Sequence, residues 1–129
     1  MIGDKTEHFA GKGTDLAALQ AHIVQYLEGD GFMVQASGPG DQGVVLQARK
    51  GHVLSGLIDA DRALTITIAG RPEDFTVRVG IGRWLDHLAT AVIEGLILSE
   101  LFLVVDLAET AWNVEIEDKL VKDIKSFVG

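Results

Sequence analysis

Hydrophobic and polar positions along the chain change period several times, and each change marks an element. Leu16, Leu19, Ile23, Tyr26 and Leu27 recur at helical spacing, which predicts a helix over Thr14–Glu28. Thr14 or Asp15 can accept its first free N–H groups, and Gly29 can end it. Short alternating or β-branched segments follow at Phe32–Ser37, Val44–Lys50, Val53–Leu57, Ala63–Ala69 and Phe75–Ile81. Turn residues separate them: Gly38-Pro39-Gly40-Asp41, Asp59-Ala60-Asp61 and Gly70-Arg71-Pro72-Glu73-Asp74. This pattern predicts an antiparallel meander. In its last two strands Leu64, Ile66 and Ile68 alternate with Thr65 and Thr67, and Phe75, Val77, Val79 and Ile81 alternate with Thr76 and Arg78. We read that alternation as one dry face and one wet face.

The period changes again at Leu88–Ala108, where 21 residues carry charge only at Glu94, Glu100 and Asp106. The run has the length of a membrane span, but each carboxylate in hydrocarbon costs roughly 2.5–3.5 kcal/mol against about 0.3–0.6 gained per large aliphatic residue. Full insertion is therefore marginal. Asp86, Thr90 and Glu94 define a first polar face, and from Ser99 onward Ser99, Asp106, Thr110 and Asn113 define another. The shift falls near Gly95 and Ser99, so a bent helix or helical hairpin is expected. A last amphipathic helix is expected over Val114–Val128, with Ile116, Leu120, Ile124 and Phe127 in one stripe. Residues 112–117 also fit the alternation of a strand.

The fold class expected is α+β: one N-terminal helix, an antiparallel sheet of four or five strands, then two or three C-terminal helices packed on one face of the sheet. A chain of 129 residues, 47% hydrophobic, fits a single domain over residues 1–129, with 1–13 as a flexible leader. The absence of cysteine excludes disulfides, thiolate nucleophiles and cysteine-based zinc sites, and a cytoplasmic setting is the expectation.

Net charge is −8, unevenly placed. Residues 49–83 hold six bases against four acids, whereas residues 84–129 hold nine acids against three lysines. The acidic C-terminal third would repel phosphate backbones, which argues against nucleic acid as a partner.

Motifs of known chemistry are incomplete throughout. Gly80-Ile81-Gly82-Arg83-Trp84-Leu85 has Leu85 where a dinucleotide fingerprint needs its third glycine. Gly11-Lys12-Gly13-Thr14 lacks the hydroxyl residue directly after lysine that a phosphate loop requires. His8, His22, His52 and His87 share no metal-ligand spacing, Asp59-Ala60-Asp61 is not a calcium loop, and no Gly-x-Ser-x-Gly elbow occurs. No metal, cofactor or catalytic residue is therefore assigned. The one polar grouping of interest is Asp86, His87 and Glu94, which Arg78 and Arg83 from the sheet would partner.

The stretch Asp74-Phe75-Thr76-Val77-Arg78-Val79-Gly80-Ile81-Gly82-Arg83-Trp84-Leu85, with the apolar run and short helix after it, resembles a group of uncharacterised bacterial and archaeal proteins. Those have a Val-Gly-Ile-Gly-Lys-Trp stretch between a small β-meander and a predicted membrane hairpin, some with a zinc ribbon. The resemblance covers residues 44–128 and implies no known activity. This chain differs in lacking the zinc-ribbon cysteines and in carrying three acids in the hairpin region.

The functional expectation is a noncatalytic interaction module. It would form a homo-oligomer, or dock on a membrane surface, through Trp84, Leu98, Leu101, Phe102, Val105 and Trp112, because large apolar and aromatic groups dominate association energetics. The alternative is binding of a small apolar or amphipathic ligand between sheet and helices.

Overall fold

The computed structural model describes residues 4–37, 43–49, 62–84 and 107–129. Its elements are β1 (Asp4–Ala10), α1 (Leu16–Gly29), β2 (Met33–Ala36), β3 (Val44–Arg49), β4 (Arg62–Arg71), β5 (Asp74–Arg83) and α2 (Leu107–Val128). The strands form one antiparallel sheet in the order β1-β5-β4-β3-β2. The α+β class with an N-terminal and a C-terminal helix is thus observed. The strand expected at Val53–Leu57 and the helical pair expected over 88–108 lie outside the described residues, so α2 is the one C-terminal helix among those described.

Helix α1 starts where its cap dictates: the Asp15 carboxylate accepts from the backbone N–H groups of Ala17 and Ala18, at 3.0 and 3.3 Å. The β4–β5 hairpin closes between Arg71 and Asp74, with Pro72-Glu73 as its two-residue loop. Helix α2 begins at Leu107, seven residues ahead of the expected start, and takes in residues 112–117, which settles that stretch as helix.

One face of the sheet holds the core. Leu46, Leu64, Ile66, Ile68, Phe75 and Val79 meet Leu19, Ile23 and Leu27 of α1 and Leu120, Val121 and Ile124 of α2, all buried. Burying side chains of this size stabilises the fold by about 1.5–3 kcal/mol each before conformational entropy is subtracted. Among the described residues no helix is long and apolar enough to cross a membrane.

Two expectations are overturned. Residues 4–10 are not a leader but strand β1, paired with β5 from Asp4↔Gly80 to Ala10↔Asp74. Its alternation is masked by charge, since Phe9 is the single large apolar residue in it. Phe9 nevertheless stacks on Phe75 with ring centroids 5.1 Å apart, and Glu7 Oε1 lies 2.6 Å from Lys125 Nζ of α2. The connection to α1 is strapped down as well: the Gly11 N–H donates to the Glu73 carbonyl at 2.7 Å and the Thr14 N–H to the Pro72 carbonyl at 3.1 Å.

The second correction concerns the face read as wet. Gln47 and Thr65 are fully buried there, beside Val45, Ala63 and Thr67. Alternation reports that two faces differ in polarity. It does not report that the more polar one meets water, because glutamine and threonine are equally at home in an interior that satisfies their hydrogen bonds.

Candidate interaction surfaces

The second face carries a row of polar side chains set by strand register, with Gln35 of β2 opposite Gln47 of β3, and Gln47 opposite Thr65 of β4. Gln35 Nε2 donates to Gln47 Oε1 at 3.0 Å, Gln47 Nε2 to Thr65 Oγ1 at 3.2 Å, and the Thr65 hydroxyl to the Ala63 carbonyl at 3.1 Å. The next position in the row is Gly80 of β5, which has no side chain to extend it. At the end of β2 the Ser37 hydroxyl accepts from the Val45 N–H at 2.9 Å.

A buried chain of this kind is stable only while each member is satisfied. Gln47→Leu keeps the bulk but removes both a donor and an acceptor, so it is expected to lower unfolding stability by about 1–3 kcal/mol. Adding Thr65→Val should recover part of that loss, because the hydroxyl oxygen left without its Gln47 donor leaves too. Thermal unfolding of the two variants checks this, and a single variant as stable as the parent would count against the row.

The sequence-derived site residues are only partly brought together. Trp84 follows β5 directly, half-buried, with the Arg49 guanidinium 4.0 Å from the centre of its ring. Arg78 stands half-buried in β5 between Thr6 of β1 and Thr67 of β4. Arg83 ends β5, and Trp112 lies in α2. Asp86, His87, Glu94, Leu98, Leu101, Phe102 and Val105 lie outside the described residues. Sequence reasoning missed Gln35, Gln47, Thr65 and Arg49. A signal existed in Val44-Val45-Leu46-Gln47-Ala48, where Val45 and Leu46 point to opposite faces and both ask for burial.

A second polar cluster closes the seam between α1 and α2. His22 Nε2 lies 2.6 Å from Asp123 Oδ2, and the His22 ring stacks on Phe127 with centroids 4.4 Å apart. Tyr26, one turn along α1, has its phenol pushed above the ordinary value, chiefly by burial and then by the negative charges of Asp123 and Asp30; Lys119 opposes them. A histidine–carboxylate pair is also the start of a base dyad. Among the described residues no hydroxyl nucleophile is bonded to this one, and no three His, Asp or Glu side chains group as a metal site. The arrangement acts as a helix–helix clamp. His8 pairs similarly with Asp74 at the hairpin end of β1, where both side chains are exposed.

Compared with known proteins, the chain matches no family model, no curated protein and no solved structure.

Proposed function

We propose that the protein is a noncatalytic module that self-associates through its apolar C-terminal segment, with Leu98, Leu101, Phe102 and Val105 in the contact and Trp84 and Trp112 flanking them in sequence. The observation that carries this reading is that the helix-bearing face is packed with α1 and α2 in one cluster, with Leu64, Ile66, Leu120 and Ile124 at or below 1% exposure. A run of 21 residues with only three charged side chains needs cover for most of its surface. A second copy supplies that cover.

An apolar ligand between sheet and helices has less support. A void of ligand size would leave accessible area on its walls, and the large side chains of this layer have almost none.

Light scattering behind a sizing column, in detergent-free buffer, tests the proposal. The parent is expected as a discrete dimer or larger closed assembly. Phe102→Asp, which puts a charge into an apolar contact, is expected to give the monomer mass with an unchanged circular-dichroism spectrum. A monomeric parent, or a variant that keeps the assembly mass, would overturn it.

A further inference from the structure

The sheet has two outer edges, and they differ in what guards them. Edge strand β1 carries Asp4, Lys5, Glu7 and His8, and charge of this density is a common protection against pairing with another chain. At the other edge β2 is Met33-Val34-Gln35-Ala36, and no charged residue occurs between Gly31 and Gly40. Strand pairing shows what this edge presents. The Ser37 N–H donates to the Val45 carbonyl, and in an antiparallel ladder every second residue turns to the same neighbour, so Gln35 and Met33 also bond to β3. Val34 and Ala36 therefore turn their N–H and C=O groups outward, and among the described residues nothing pairs with those groups. Met33 beside them is 52% exposed.

The helix layer has the same character along this side. Helix α1 packs along β2, and His22 turns toward α2. Ala17, Gln20 and Val24 lie roughly opposite His22 round the helix, so they flank the β2 edge. None of the three is charged, and Gln20 and Val24 are half-buried, with Glu28 at the margin of the strip. Two copies of a chain with net charge −8 approach at least cost where neither presents charge. This strip is such a place.

We infer that a second copy of the chain pairs with this edge, β2 lying antiparallel to β2 of the second copy about a two-fold axis at Gln35. Val34 then exchanges both its backbone hydrogen bonds with Ala36 of the second copy, and the two-fold repeats the exchange. The axis also brings together the two Gln35 side chains, each at the end of its row to Gln47 and Thr65. Growth stops there, because the joined sheet has β1 at both ends and β1 is guarded by charge. The strip is about 20 Å long, from the 14 residues of α1, and about 15 Å deep, so each copy buries roughly 300 Å². That is below the area of a stable dimer, and the contact alone is expected to have a Kd on the order of 0.1 mM. It is separate from the contact proposed for the C-terminal segment and does not depend on it.

Amide hydrogen exchange and sedimentation equilibrium, on the parent and on Phe102→Asp from about 10 μM to about 1 mM, test the inference. Exchange at Val34 and Ala36 is expected to slow about fourfold across that range as the mass rises toward twice the starting species. Met33→Glu places a carboxylate opposite Arg49 within the chain and like charges on the two sides of the axis, so stability should hold while association weakens about tenfold or more. Slow exchange at Val34 and Ala36 at every concentration would mean that the chain covers its own edge. Association without a change at these amides, or undiminished in Met33→Glu, would mean a contact elsewhere, and no association up to 1 mM would mean that the edge stays bare. Each of these overturns the inference. The dilute mass separates it from the C-terminal contact: a dilute monomer that pairs at β2 when concentrated defeats that contact alone, and an assembly lost in Phe102→Asp with no slowing at Val34 and Ala36 defeats the edge pairing alone.

Discussion

Deleting residues 1–10 is expected to cost the fold about 3 kcal/mol or more, a large share of the roughly 5–15 kcal/mol that holds a domain of this size together. The deletion removes seven paired positions along β5 and strips the cover from one side of Phe75, Val77 and Val79, all buried. It also removes Phe9, whose ring stacks on Phe75, and the Glu7 carboxylate that meets Lys125 of α2. Ordering seven residues of strand offsets part of the gain, so the net effect comes chiefly from the phenylalanine pair and the newly exposed β5 edge. Phe9→Ala should reproduce most of the loss without shortening the chain. Urea unfolding of both proteins provides the check. A midpoint untouched by the deletion would return residues 4–10 to the status of a leader.

The reason this strand escapes sequence reading shows what local pattern can carry. Helix α1 is legible because five apolar residues at helical spacing and an Asp15 cap act within one segment, and the β4–β5 hairpin is legible because Pro72 and the alternation on either side of it are local too. Strand β1 has one large apolar residue, and what makes it a strand is the edge of β5, more than sixty residues away. The same limit applies to the interior of the second face. Whether Thr65 meets water or a glutamine depends on Gln47, eighteen positions earlier, arriving in register. Trp84 could be singled out from its place beside two glycines, yet its partner Arg49 is set by pairing across β4. Charge counting likewise finds a basic middle third but not that Arg62 and Arg83 stand opposite each other.

Substitution of Gly70 by alanine is expected to be severely damaging, at about 3 kcal/mol or more. Gly70 sits opposite Phe75 at the mouth of the β4–β5 hairpin, with φ at +125°, a conformation that side chains with a Cβ rarely adopt. A Cβ there would also run into the Asp74 carbonyl oxygen and come within 2.7 Å of the Phe75 Cα. Those are backbone atoms of the partner strand, so nothing flexible can move aside. Relief requires the hairpin to open, and opening displaces Phe75 from Phe9 and draws the Pro72 and Glu73 carbonyls away from Thr14 and Gly11. Gly29 provides the control. It closes α1 with open space where a Cβ would go and no positive φ, so Gly29→Ala should raise stability by a few tenths to about 1 kcal/mol. Denaturant midpoints moving in opposite directions for the two variants are the expected result. If Gly70→Ala moved with Gly29→Ala instead, the close approach at the hairpin mouth, and with it the strap that ties β1 and α1 to the β4–β5 turn, would be wrong.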